Sequence, residues 1–343
     1  MFFSNKKIKI LIFIVSVIAT VVICRFKGEV WEENVREVLY KLKNDTVPSY
    51  NTEIVDSIGV PYVFYSPQNN ISAGKHYNPT VVANYALQYF SKINKEKNAQ
   101  QYFNNCVQYL LSSISYKNNA ALYYYNWQQP WYPEIKGTFT SGMTSGRAIE
   151  VFIKAFSLNN DSMYLQVAQK LMRGYYIAVE DSGFTYKQNN AWWYEEIAVP
   201  NTSTPYILDG HIFAIKGLQA YQSIFKNDSA QILIQQGLTA LKEKLPLYDA
   251  GNGIIFYDKY KSIADKKYQH ILVAQMQQLW LSTNDAMFLA YYKKWSAPLN
   301  KDYTLKVFAE KNISGIILFF TLLISIFILL LFVQEIFLKI KQH

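Results

Sequence analysis

Apolar positions recur along this chain in three ways. Two runs are apolar throughout. Ile10–Cys24 follows Lys6, Lys7 and Lys9, and Ile313–Val333 carries no charge. A run apolar on every side is not a surface helix, and about 20 residues suffice to cross a bilayer. Both are therefore read as membrane spans. Three stretches between them place apolar residues at i, i+3, i+4 and i+7, the period of a helix with one buried face. They are "YNPTVVANYALQYFSKINKEKNAQQYFNNCVQYLLSSIS", "SGRAIEVFIKAFSLNNDSMYLQVAQKLMRGYY" and "GHIFAIKGLQAYQSIFKNDSAQILIQQGLTALKEKL". Each breaks at a polar turn and resumes, the pattern of an αα-hairpin. Asn78 before Pro79 reads as a cap and first-turn pair, and Asp161 and Asp228 fall where second helices should start.

The third pattern is short alternation in the linkers Tyr116–Thr140, Glu180–Ile207 and Leu245–His270. "GFTYKQNNAWWYEE" reads as a hairpin with an Asn-Asn turn, and "GNGIIFYDKY" as a turn and strand. Residues 30–45 continue the first span as a helical stalk, and a short strand is expected at Tyr62–Tyr65. Uniform solenoid repeats would have short, even linkers. Long aromatic linkers instead predict a mainly α fold, an (α/α) toroid or barrel of helical hairpins with short β-hairpins in the linkers, flanked by transmembrane helices. The expected divisions are 1–9 cytoplasmic, 10–24 signal anchor, 25–70 stalk and strand, 71–298 the (α/α) domain, 299–312 linker, 313–333 second span and 334–343 cytoplasmic tail.

Composition narrows the function. Of 343 residues, 28 are Tyr and 7 Trp, so disorder is excluded. Two cysteines, Cys24 and Cys106, and four histidines suggest neither a disulfide framework nor a zinc site. Five of the 34 basic and one of the 25 acidic residues lie in the tails, leaving the middle at +5. That favours an anionic partner but is not the basic stripe of a nucleic-acid binder. Charges flank both ends of both spans, so they set orientation poorly; the N-terminal Lys cluster reads as an export signal, placing the middle outside the cytoplasm. No small-x-small site follows the first run, which reads as an uncleaved anchor.

Candidate chemistry sits in the linkers, where loops on a helical scaffold build sites. They supply Trp127, Trp131, Tyr132, Trp192, Trp193, Tyr194, Tyr206, Tyr257, Tyr260 and Tyr268, with Glu134, Glu195, Glu196, Asp209 and Asp258. Rings that stack on sugar faces beside acids that take hydroxyls make a polysaccharide-binding surface. Adjacent strand residues face opposite ways, so Glu195 and Glu196 cannot both face a site, and at least one is expected at a solvated hairpin end. For glycoside hydrolysis a second acid could come from Glu134, Asp209 or Asp258. His211 reads as capping or packing. Ser141 and Ser145 in "TSGMTSGRA" lack a partner pattern for nucleophilic catalysis, and its glycines are not a phosphate loop but let a helix start in a crowded place. Arg147, in that helix's first turns, is a candidate to grip a carboxylate.

Five blocks in order resemble the D-glucuronyl C5-epimerase family: "HYNPTVVANYAL", "SGMTSGRAIEVFIKAF", "WWYEEIAVPNTSTPYILDGHIFAIKGL", "LPLYDAGNGIIFYDKY" and "KYQHILVAQMQQLW". The resemblance implies inversion at C5 of glucuronate within a polymer, giving iduronate, by proton removal and re-addition on opposite faces with no cofactor required. Its catalytic positions fall on Glu196, Tyr257 and Tyr268, the tyrosines being usable if cations lower their pKa. Arg147, Trp193, Tyr194, Asp209, Asn78 and Lys259 are the candidate substrate-binding residues, with Lys261 a further cation. The family's Tyr after Glu-Glu is Ile197 here, its Asn before Gly is Asp209, its Arg after Tyr-Asp is replaced by Lys259 and Tyr260, and its His after Tyr is Gln269. The implied partners are an acidic polysaccharide and a lipid bilayer, with a homodimer left open. A lyase or hydrolase on a uronate polymer, or a non-catalytic glycan-binding protein, are the alternatives.

Overall fold

The computed structural model describes residues 5–42, 52–299, 302–309 and 311–340. The ends of the expected tails and the junction at 43–51 lie outside the described residues. Residues 52–296 form one compact unit; the helices at the two ends of the chain form another.

In the terminal unit, α1 (Asn5–Leu42) runs without a break through the first apolar stretch and the expected stalk. It packs along α11 (Ile313–Ile340), and the expected linker contains a short helix, α10 (Tyr303–Ala309). Both long helices are long and apolar enough to cross a membrane. Glu32 ties the unit together: its carboxylate accepts from Tyr303 Oη at 3.0 Å, Asn312 Nδ2 at 2.9 Å, Ser314 Oγ at 3.1 Å and Arg36 at 2.8 Å.

The larger unit is an (α/α) toroid built of four helical hairpins. They are α2 (Pro79–Lys92) with α3 (Ala99–Ser112), α4 (Gly142–Asn159) with α5 (Ser162–Gly174), α6 (Leu208–Phe225) with α7 (Asp228–Lys244), and α8 (Lys266–Thr283) with α9 (Ala286–Ser296). Three match the periodic stretches in the sequence. The fourth turns at Asn284, left-handed with φ 55°, and Asp285. Helices α2, α4, α6 and α8 pack in succession as the inner layer. Val82, Ala86, Ile149, Phe152, Ile215 and Leu218 fill the core between the layers. Asn78 caps α2 through Thr80 N at 2.9 Å, and Asp161 caps α5 through Met163 N at 2.9 Å. On α7 the cap is Asn227, which accepts from Ala230 N at 3.1 Å, so Asp228 is the first helical residue rather than the cap.

The linkers carry the β structure. β4 (Ile114–Lys117), β5 (Ala120–Tyr125) and β6 (Phe139–Thr140) form one sheet, β7 (Thr185–Gln188) and β8 (Ala191–Tyr194) the expected Asn-Asn hairpin, and β9 (Asp249–Gly251) with β10 (Ile254–Ile255) another. The expected strand at 62–65 is the middle strand, β2 (Pro61–Tyr65), of a sheet that adds β1 (Thr52–Val55) and β3 (Gly74–His76).

Inner helices α4 and α6 touch backbone to backbone. A Cβ on Gly217 would lie 2.2 Å from Gly146 Cα, and one on Gly146 would lie 2.6 Å from the Phe213 carbonyl oxygen. These are contacts no side chain can occupy, so the crowding expected at "TSGMTSGRA" comes from the facing helix. Gly217→Ala must part the two helices. Overpacking of this kind costs about 1–3 kcal/mol, and the melting temperature of this unit is expected to fall by several degrees. An unchanged melting temperature would show that the crossing is loose.

Candidate active site

The inner helices all start at one end of the toroid, and the linkers that precede them bring acids and phenols together there. The segment after β8 is pinned on both sides. Glu195 N donates to Phe184 O at 2.8 Å, Gly142 N, in the first turn of α4, donates to Glu195 O at 2.7 Å, and Ala198 exchanges two hydrogen bonds with Thr140 at 3.0 Å. Strand β8 ends at Tyr194, so Glu195 and Glu196 lie past the alternating register. Neither is a solvated hairpin end, contrary to the reading of the sequence. Glu195 is fully buried, with Oε2 accepting from Tyr206 N at 3.2 Å and Oε1 without a partner among the described residues. Burial pushes its pKa up to about 8, against opposing help from Thr204, Lys259 and Tyr206.

Glu196 turns the other way and lies on the first turn of α6. A Cβ on Gly210 would meet Glu196 Oε2 at 2.4 Å and its Cβ at 2.7 Å, so only glycine leaves room for this side chain. Glu196 Oε2 is buried and has no partner among the described residues. Burial, then Asp209, then Glu195 hold its carboxyl well above the usual carboxylate range. Asp209 is itself 1% exposed, its Oδ1 likewise unpartnered; burial raises it to about 7 against a hydrogen bond from Tyr257.

Tyr257 is fixed by its backbone, which bridges Leu208 N at 3.0 Å and Ser262 O at 2.6 Å. Tyr268 is placed in the first turn of α8 by Asp265, which caps that helix by accepting from Tyr268 N at 2.9 Å. The two rings are 4.6 Å apart between centroids. Their pKa values are not lowered by cations, as the resemblance had suggested. Burial and the charges of Asp209 and Glu196 push both up, so both phenols are neutral at ordinary pH. Tyr132 joins the group, donating to Asp258 Oδ2 at 2.9 Å, while Asp258 also takes Ser262 N and Oγ and so holds its loop. Tyr65 accepts from Asn78 Nδ2 at 2.7 Å and is raised to about 12 by burial, with Glu196 among the smaller causes.

Glu196, Asp209, Tyr257 and Tyr268 are thus brought together, and Asn78 joins them through Tyr65. The remaining candidates are placed otherwise. Arg147 is engaged within the helix layer: its guanidinium donates to Glu150 Oε1 and Asn84 Oδ1, both at 2.7 Å, and lies over Phe213. Trp193 and Tyr194 are core residues. Trp193 stacks on His211 at 3.8 Å and Tyr194 Oη donates to Leu233 O at 2.7 Å, leaving neither ring a face for a sugar. His211 packs as expected, accepting from Tyr194 N and bonding Gly237 O, with burial lowering its pKa to about 3. Lys259 donates to Ser203 Oγ at 2.6 Å beside Tyr206 and Tyr260, and Lys261 is exposed in a left-handed turn. A cation not singled out from the sequence, Lys267, lies 5.8 Å from the Tyr268 ring centre and acts on Asp209, with a loose 3.9 Å pairing to Glu53. Tyr65 was also missed; its signal was the aromatic strand before the Asn78 cap. A groove of about 650 Å³ lies toward the other end of α6, around Gln219, Gln235 and Thr283, away from the acids.

Fold and site together define an (α/α) toroid protein with buried carboxyls and neutral phenols clustered where its inner helices begin. Residues 117–297 match the family described as "D-glucuronyl C5-epimerase C-terminus", and the chain belongs to that family. It is 28% identical over 261 residues to an uncharacterised protein of Methanocaldococcus jannaschii, covering 70% of this chain and 83% of that one. It is 31% identical over 183 residues to the D-glucuronyl C5-epimerase of Caenorhabditis elegans, covering 50% of this chain but only 28% of the nematode protein. Among solved structures it is similar to a GH76 α-mannanase of Bacteroides thetaiotaomicron (12% identity, TM-score 0.44, 82% of this chain and 70% of that one). It is also similar to the cellobiose 2-epimerase of Bacillus thermoamylovorans (13% identity, TM-score 0.41, 80% and 70%).

The buried Glu195 generates a stability prediction. Its folded pKa lies above its unfolded value, so the native state holds a proton that the unfolded chain releases from about pH 4.5 upward. Stability therefore falls as pH rises through that value toward about 8. Glu195→Gln removes its share of the loss, so the melting temperature should decline less between those pH values than in the wild type. An equally steep decline in the variant would show that Glu195 titrates normally.

Proposed function

We propose that this protein is a membrane-anchored epimerase that inverts C5 of glucuronate residues in a polysaccharide. The C5 proton is α to a carboxylate, so its removal leaves an enediolate-like carbanion that can be reprotonated from the other face. The reaction needs a base on one face, an acid on the other and positive charge near the carboxylate, but no redox cofactor. The observation that carries the reading is that Glu196, Tyr257 and Tyr268, drawn from three separate blocks of sequence, converge in one half-buried group around the first turn of α6. Burial acts on them in complementary ways: it raises the Glu196 carboxyl and so strengthens it as a base once ionised, and it keeps the phenols protonated, as donors. Glu196 takes the C5 proton, and Tyr257 or Tyr268 delivers its replacement. Lys267 and Lys259 are the cations assigned to the uronate carboxylate, in place of Arg147.

The two long apolar helices support anchoring in a bilayer; the side of the toroid, outside the cytoplasm, is read from the N-terminal Lys cluster. The acidic polymer follows from the reaction and from the net positive charge of the middle. In heavy water, the full-length protein with a glucuronate polymer should place deuterium at C5 and yield iduronate. Glu196→Gln and Tyr268→Phe should each slow exchange by about 10²-fold or more. An unsaturated product absorbing in the ultraviolet would mean lyase chemistry instead. Shortened chains without that product would mean hydrolysis, and binding without exchange would mean a non-catalytic glycan binder.

A further inference from the structure

Asp209 has no role in the reaction described so far, yet it is a fully buried carboxyl beside the proposed base. It sits in the first turn of α6 with its own carbonyl held by Gln275 Nε2 at 3.1 Å. Glu196 lies directly over the next residue, Gly210, close enough that a methyl there would collide with its carboxyl oxygen. Two carboxyls thus share one buried corner, each with an oxygen that meets no donor among the described residues. Buried acids left in that condition normally hold a proton between them, because the alternative is two adjacent charges away from water.

We propose that Asp209 is a positioning residue for this chemistry: it and Glu196 form a dyad that holds a single proton, and Asp209 passes that proton on to Tyr257. The proposal rests on the reading of Glu196 as the base. Groups facing the dyad agree with it. Tyr257, on the segment before α8, is held beside Asp209 by its carbonyl, which takes Leu208 N at 3.0 Å, and the Tyr268 ring on α8 lies 4.6 Å from the Tyr257 ring. Tyr132, tied to Asp258, approaches from the loop before β6, and Tyr65 from β2; Glu195 lies behind, and Lys267 is the cation acting on Asp209. The dyad is therefore walled by neutral phenols, with one exposed lysine to offset its remaining charge.

The C5–H bond breaks, its electron pair stays on the enediolate, and its proton goes to the ionised member of the dyad, which becomes doubly protonated. A phenol O–H breaks to form the new C5–H bond on the opposite face, leaving a phenolate. Asp209 then gives one proton to Tyr257, directly when Tyr257 is the phenolate and through Tyr257 when it is Tyr268. Both the dyad and the phenols return to their starting states.

Infrared titration of the carboxyl C=O stretch tests the dyad without substrate, in an E195Q background that removes the neighbouring buried acid. The pair should lose its two protons in two steps separated by about one pH unit or more. Asp209→Asn in that background should leave one step, below the upper step of the pair. If that variant does not fold, Glu196→Gln in the same background should likewise leave one step. An upper step that stays in place after either substitution overturns the dyad, whether or not the protein proves to be an epimerase. The kinetic arm reads the relay. Asp209→Asn should lower kcat by about tenfold or more with KM within about threefold. It should also move the alkaline limb of kcat/KM upward, because two charged carboxyls no longer face the uronate. Wild-type kcat with an unmoved limb would overturn the relay. Absence of any epimerase activity in the wild type would sink the functional reading and leave the infrared result to stand by itself.

Discussion

The larger unit depends on the contact of α4 with α6. Gly146 and Gly217 let the two backbones meet with no side chain between them. That closeness sets where both helices begin, and their first turns are the walls between which Glu195 and Glu196 are held. Gly142 N fixes the carbonyl of Glu195, and Gly210 makes the space that Glu196 fills. A wider crossing would let the acid segment relax toward solvent, where two carboxyls would be ordinary surface charges. Packing between two helices thereby determines the chemistry of a loop outside them.

The consequence is electrostatic. The interior of the site is rich in acids and phenols and poor in cations. Arg147, the obvious positive group, spends its guanidinium on Glu150 and Asn84. Lys259 acts from the half-buried rim and Lys267 from the exposed surface. Burial without pairing raises every acid at the centre and keeps the tyrosines neutral. Such a site is set up to exchange protons rather than to hold fixed charge. On the proposed function, a uronate would carry its charge toward these lysines instead of toward a buried arginine.

The hairpins were legible because helical periodicity is written locally, in residues three and four apart. Asn78 and Asp161 were legible as caps for the same reason. The fourth hairpin was missed because its second helix buries few positions: among the residues of α9 only Phe288 and Trp295 are buried, so its apolar stripe is faint. The β1 and β3 strands are four and three residues long, too short for alternation to show. Within the site, Glu196, Tyr257 and Tyr268 were reached through resemblance, since nothing in the spacing of residues 196, 257 and 268 brings them together. Trp193 and Tyr194 misled because an aromatic pair beside two acids looks the same in sequence whether it faces sugar or His211. The solvated reading of the acids failed because it took them as strand residues, whereas β8 stops one residue earlier and the chain turns inward.

The most direct measurement of the central claim is a structure of the full-length protein with a bound uronate oligosaccharide. The account predicts C5 of one uronate between Glu196 on one face and the Tyr257–Tyr268 pair on the other, each within proton-transfer reach, with its carboxylate toward Lys267 or Lys259. A uronate bound with both groups on the same face of the ring, or seated in the groove around Gln235 instead, would contradict it.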